Sequence, residues 1–245
     1  MEMPRTTAHA FHFAEGEVLL VDKPIRWTSF DVVRKIRNAI KPAKVKVGHA
    51  GTLDPLATGL LVICTGKFTK RIEEFQSQEK EYTGTITLGA TTLSYDLERE
   101  IDQRFDLSGI TPKQIRETAA SFVGEIQQIP PAHSAIKMDG ERVYEKARRG
   151  ESVAMRPRNV IIQQFEIVDI DLPNVEFRVV CSKGTYIRTL AHDFGAALNN
   201  GAHLSRLRRI RSGDFHVDNA WQVTDLVNSI KGITFAASHE HIQKP

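Results

Sequence analysis

Asp54 is the only acidic residue between Asp31 and Glu73. It sits in Val47-Gly48-His49-Ala50-Gly51-Thr52-Leu53-Asp54-Pro55-Leu56-Ala57-Thr58-Gly59-Leu60, among small, kinked and apolar neighbours. Glycine lets a backbone bend sharply or lie close to a ligand, and Pro55 fixes the chain directly after the carboxylate. A lone, rigidly presented carboxylate can attack an electrophilic carbon or serve as a base. The same residue types also make an ordinary turn, where Asp beside Gly and Pro is common. Glycoside hydrolysis usually needs two carboxylates flanking the bond, and this loop offers one.

The elements around the loop follow from pattern. Glu17 to Asp22 reads as a strand stopped by Lys23-Pro24, and Leu60 to Cys64 as a second, apolar strand. Thr28 or Ser29 can cap a helix with Phe30, Val33, Ile36 and Ile40 inward, ended by Pro42. Gly66-Lys67 opens a helix to about Phe75, and Glu81 to Gly89 alternates as a strand. Thr91 to Asp106 is polar and acidic and reads as an irregular surface segment. Thr111-Pro112-Lys113-Gln114 is a capping box with proline in the first turn, leading a helix with Ile115, Ala119 and Phe122 inward. Val160 to Asp171 and Val175 to Cys181 read as strands, and Lys183-Gly184-Thr185 turns the second into a helix ending near Gly201. Lys183-Gly184 lacks the glycine-rich run of a nucleotide-binding loop, which argues against an NTPase. Thr224 caps a last short helix, and the end from about Ser238 reads as disordered. The alternation of strands and helices makes an α+β chain.

The totals bound the class. The chain has 245 residues, 41% of them hydrophobic and 26% charged, which suits a globular protein with a sizeable core. The net charge of +3 is too small to imply a nucleic-acid partner by itself. Its distribution is uneven: Lys23 to Lys46 holds eight bases and one acid, Glu73 to Asp106 nine acids and three bases. Such a split can steer a polyanion to one face, although charge runs are also ordinary solvated surface. Arg206, Arg208, Arg209 and Arg211 alternate with Leu204, Leu207 and Ile210 and suit a strand edge touching RNA backbone. Cys64 and Cys181 lie apart in apolar runs, as expected of buried thiols in a reducing compartment rather than a disulfide or metal site. No signal peptide or membrane-spanning run is visible, so a cytoplasmic location is expected.

Gly48-His49-Ala50-Gly51-Thr52-Leu53-Asp54-Pro55-Leu56-Ala57-Thr58-Gly59-Leu60-Leu61 closely resembles the catalytic loop of the TruB family of tRNA pseudouridine synthases. Further features in family order are Lys23-Pro24, the Glu81-Tyr82 context, Ser134-Ala135-Ile136-Lys137, the Asp139-Gly140 turn, Tyr144, Ala147-Arg148-Arg149-Gly150 and Lys183-Gly184-Thr185-Tyr186-Ile187-Arg188. The resemblance spans roughly residues 17–226. It implies the pseudouridine-synthase fold, a mixed and mainly antiparallel sheet flanked by helices with a central RNA-binding cleft. It implies isomerisation of uridine 55 in the tRNA T-loop, with Asp54 as the catalytic carboxylate.

Other roles come with the resemblance. Tyr82 would stack on the target uracil, and Tyr186 and Leu207 would line its pocket. His49 would fill space left by flipped bases, although a histidine beside glycines is otherwise often a solvated loop residue. Lys23 would support the loop beneath the substrate. Arg188 would hold the Asp54 carboxylate ionised and oriented; the plain alternative is a surface arginine on a helix's first turn. Ala50 stands where many relatives have threonine. No cofactor and no metal are expected, nor a protein partner, and the chain should act as a monomer on the tRNA T-arm. Residues 1–16 read as a flexible leader, 17–226 as the catalytic domain, and 227–245 as a C-terminal tail too short for a complete RNA-binding module of the PUA type. A T-arm chaperone with vestigial chemistry is the competing function.

Overall fold

A computed structural model describes residues 11–131, 137–138, 141–142 and 156–240, with side chains described through 131 and from 156 to 232. The first elements are β1 (Val18–Lys23), α1 (Ser29–Ala39), β2 (Val47–His49), β3 (Ala57–Thr65) and α2 (Ile72–Ser77). Next come β4 (Lys80–Leu88), β5 (Ala90–Thr92), β6 (Ile101–Arg104), α3 (Pro112–Ser121) and β7 (Gly124–Gln128). The short pair β8 (Lys137–Met138) and β9 (Glu141–Arg142) precedes β10 (Arg158–Asp171) and β11 (Asn174–Cys181). The chain then forms α4 (Ile187–Ala197), β12 (Ala202–Ser212), β13 (Phe215–His216), β14 (Trp221–Gln222) and α5 (Val223–Glu240). It divides into two compact units, residues 1–76 with 215–245, and residues 77–214.

In the first unit β1 pairs antiparallel with β3 and parallel with β14, and β2 pairs antiparallel with β3. Leu60 to Cys64 of β3 is an uninterrupted apolar run because both faces of the strand are covered there. Leu61 and Ile63 join Val32, Val33, Ile36, Leu226 and Ile230 on one side, while Leu60, Val62 and Cys64 join Ala50 and Phe75 on the other. Each such aliphatic side chain contributes about 1.5–3 kcal/mol by leaving water. Thr28 caps α1 in a full capping box with Asp31. The helix's inner face is Val32, Val33, Ile36, Ala39 and Ile40. Phe30, expected inside, is instead 57% exposed and lies under the Arg37 guanidinium, 5.9 Å from its ring centre.

In the second unit β12, β4, β11, β10 and β7 pair in that order, all antiparallel. Phe122, Phe165, Phe177 and Phe194 interlock edge-on and tilted between this sheet and its helices. Gly84 on β4 has no room for a side chain: a Cβ there would collide with the Arg206 carbonyl oxygen and meet the Phe177 ring at 3.0 Å. The Thr111–Gln114 capping box of α3 forms as its sequence dictates.

Three segment readings change. Residues 11–16 do not form a loose leader: Phe11 and Phe13 stack 4.8 Å apart and pack on the core of the first unit. The segment 91–106 is not merely irregular surface, because β5 and β6 form a hairpin ladder within it and Thr92, Ser94 and Asp96 are buried. The last helix starts at Val223, ahead of Thr224, and runs to Glu240. The expected tail therefore begins inside it, with Val227 and Ile230 buried. Ser134 to Ile136, Asp139-Gly140, and Tyr144 through Gly150 lie outside the described residues.

Candidate active site

In the first unit the backbone on each side of Asp54 is tied down. Ser29, at the start of α1, receives the Leu53 amide at 2.9 Å and donates its hydroxyl to the Leu53 carbonyl at 3.2 Å. Beyond the carboxylate, the Pro55 carbonyl accepts the Arg26 amide at 2.7 Å and the Lys23 ammonium at 3.3 Å. Lys23 is wholly buried and also donates to the Pro24 carbonyl at 3.0 Å and the Trp27 carbonyl at 2.6 Å. It acts as a cross-brace under the loop. The Ala57 amide closes a turn onto the Asp54 carbonyl at 3.1 Å, and Gly51 and Gly59 take φ of 99° and 100°, which favour glycine. The Asp54 side chain remains half-buried. His49 stands opposite Ile63 on β2, half-buried, and Ala50 is fully buried.

The second unit carries the other expected residues. Register sets Tyr82 opposite Arg209 and Leu207 opposite Gly84, which puts Tyr82 and Leu207 on one face of the sheet. Both are largely buried, at 8% and 7% exposure. Arg188 is no surface arginine. It is 4% exposed, lies 3.6 Å from the Asp96 carboxylate through Nε, and donates to the Ser94 carbonyl at 3.3 Å. Tyr186 precedes the first residue of the same helix, and its amide and carbonyl are matched by the two ends of the Gln128 side chain, at 2.9 and 3.2 Å.

Ser29, named from the sequence only as an alternative helix cap, holds Leu53, and Asp96 and Gln128, which the sequence did not single out, hold Arg188 and Tyr186. Asp96 is 3% exposed and accepts the Glu98 amide at 3.0 Å. Its neighbour Tyr95 takes φ of 63° and stacks on His192, with centroids 3.9 Å apart. Burial lowers the affinity of His192 for a proton and, with Asp193 nearby, raises the Tyr95 pKa. No local signal pointed to these roles; Thr28, not Ser29, caps α1. Asp96 looked like one acid among many.

The arginine row also departs from expectation. Arg206 pairs with Glu176, Arg211 reaches Glu79 at 2.6 Å and Glu81 at 2.8 Å, and Arg209 is 1% exposed. Burial pushes the Glu81 carboxyl up, but hydrogen bonds from Arg211 and Arg178 leave it below its ordinary value. Arg209 and Arg211 are thus tied into the sheet's own structure, whereas Arg206, paired with Glu176, keeps its side chain 67% exposed. Among the described residues, no group of three or more His, Cys, Asp or Glu side chains could hold a metal ion. None of the described helices is long and apolar enough to cross a membrane.

A model of the TruB family pseudouridylate synthase N-terminal domain matches residues 37–187, and one of the tRNA pseudouridylate synthase B C-terminal domain matches residues 188–238. The chain belongs to the TruB family. The tRNA pseudouridine synthase B of Flavobacterium johnsoniae is 57% identical over 224 residues, covering 89% of this chain and 98% of that protein. The protein of the same name from Phocaeicola vulgatus is 54% identical, covering 86% and 92%. Among solved structures, a chain in the crystal structure of a Cbf5-Nop10-Gar1 complex aligns with a TM-score of 0.69 at 32% identity. The alignment covers 89% of this chain and 55% of that longer one. As a TruB-family pseudouridine synthase, the protein is an isomerase acting on tRNA, and its fold is the mixed α+β fold of such enzymes.

Proposed function

We propose that this TruB-family enzyme isomerises uridine 55 in the T-loop of tRNA, with Asp54 as the catalytic carboxylate. The reaction breaks the N1–C1′ bond, turns the uracil while it stays bound, and joins C5 to C1′. Substrate and product have the same atoms, so the reading uses no redox partner, group donor or cofactor. The observation that carries it is the immobilised backbone on both sides of Asp54, with the carboxylate itself left half-buried. Such a fixed group meets an anomeric carbon without losing freedom at the moment of reaction.

In this reading Arg188 orients Asp54 and keeps it ionised, with Asp96 and the Ser94 carbonyl fixing the guanidinium. Tyr82 stacks on the uracil, Tyr186 and Leu207 bound its pocket, and His49 occupies space left by flipped bases. Extracting a base costs a few kcal/mol, and stacking on an aromatic returns about 1–3 kcal/mol. Lys23 contributes through the loop it braces. The enzyme works in the cytoplasm as a monomer, recognises the T-arm, and needs no protein partner.

The test is tritium release from C5-labelled uridine in a T-arm stem-loop and in whole tRNA, comparing wild type with Asp54→Asn. Release by wild type alone, with tRNA affinity within a few-fold for the variant, is the expected result. Equal release by Asp54→Asn would remove Asp54 from the chemistry. Binding without release by either protein would favour an RNA chaperone.

A further inference from the structure

We propose that a recess on the outer side of α1, lined by Arg26, Trp27, Asp31, Arg34, Lys35 and Asn38, binds a backbone phosphate of the RNA whose uridine Asp54 attacks. The adjoining nucleotide lies against Trp27. The inference rests on the RNA-modifying reading of Asp54 and adds a second point of attachment to it. The recess has a volume of about 320 Å³. Its lining carries three cations and one acid. That acid is already engaged: Asp31 accepts the Thr28 amide at 3.0 Å, the Thr28 hydroxyl at 2.6 Å and Arg34 at 2.8 Å. Among the described residues, neither Arg26 nor Lys35 has an acidic partner. The recess is therefore a net positive hollow with an aromatic wall, the combination that holds single-stranded nucleic acid.

Arg26 is the telling residue. Its φ is 66°, in the left-handed region where residues with a Cβ are uncommon and glycine is the default. A non-glycine residue kept in such a conformation points to a role for its side chain. The Arg26 amide is bonded to the Pro55 carbonyl, one residue past Asp54, so this guanidinium departs from the base of the candidate catalytic loop. Trp27 packs on the core, and its carbonyl is held by Lys23, the brace of the same loop. The recess and Asp54 thus share one rigid support. An RNA strand held in the recess would be anchored in a fixed relation to the carboxylate.

The experiment measures binding of whole tRNA and of an isolated T-arm stem-loop between about 50 and 300 mM salt, where phosphate contacts dominate the salt dependence. Wild type is compared with Arg26→Gly and with the triple variant Arg26→Gly, Arg34→Gln, Lys35→Gln, each checked by thermal melting. Arg26→Gly suits the backbone at that position, so this variant should fold. The expected result is affinity lowered roughly three- to tenfold, with the log K against log salt slope flatter by about 1. Loss on both RNAs places the phosphate within the T-arm, and loss on whole tRNA alone places it beyond the T-arm. Unchanged affinity and slope in variants that melt like wild type would overturn the proposal, leaving the recess as solvated helix surface. Tritium release by wild type in the same preparations separates this failure from failure of the activity itself.

Discussion

Replacing Lys23 by methionine tests whether the buried ammonium is a brace or a chemical participant. Methionine keeps the length of the side chain and removes its charge. The change leaves the Pro24 and Trp27 carbonyls without the ammonium, while Pro55 retains the Arg26 amide. A buried acceptor left unsatisfied costs about 1–3 kcal/mol, so the gross loss is roughly 2–6 kcal/mol. Relief of the ammonium's own desolvation and packing of the thioether offset part of this. A net loss of about 2–3 kcal/mol is expected, a fall in Tm of roughly 5–10 °C for a chain of this size. Because the lost bonds hold the backbone beside Asp54, single-turnover tritium release should slow by about 10- to 100-fold, the scale set by small misplacements of reacting groups. The pH profile of the remaining activity should keep its shape. A variant that melts and turns over like wild type would refute the brace, and one that melts normally but loses a limb of the pH profile would make Lys23 a proton carrier.

Two further outcomes follow from burial. Burial pushes the Asp193 carboxyl up to about 6, so the folded state binds a proton more tightly than the unfolded chain between about pH 4 and 6. Stability from this group is therefore present at low pH and lost as pH rises through that window; Asp193→Asn should flatten the pH dependence and add up to about 3 kcal/mol near pH 7.5, measured by denaturant titration. Burial also pushes Cys64 to about 11 and Cys181 to about 12, so neither thiol should react with a thiolate-selective reagent in the native protein at pH 8. Rapid native labelling of either would contradict their placement, whereas both should label once the chain is unfolded.

Much of this was legible where a signal is local. Thr28 and Thr111 announce helix starts through their own hydroxyls, and the run from Leu60 to Cys64 needs no partner to be read as a buried strand. Asp54 stood out because its neighbours exclude every other acid. What was not legible depends on residues far away in the chain. Asp96 becomes a buried partner only through Arg188, and Gln128 acquires its role from the backbone of Tyr186. Nothing local in the sequence shows that Arg209 is buried or that Arg211 is held by Glu79 and Glu81, which belong to another segment. Phe30 fitted the helical spacing, but Val32 and Ala39 take the inner face and leave its ring outside.

The first unit is assembled from the two ends of the described chain, with Leu226, Val227 and Ile230 completing the core that Leu19, Val32 and Ile36 begin. A ribosome adding about 5–20 residues per second takes on the order of ten seconds to go from Gln76 to Ile230. Throughout that interval the residues bracing Asp54 have been made, yet the part of the core behind α1 that Leu226, Val227 and Ile230 supply has not. Residues 77–214 form a contiguous unit and can fold as they emerge. The Asp54 loop, translated early, gains its full support only late in synthesis, so a nascent chain stalled before α5 should hold Asp54 on an incompletely supported loop.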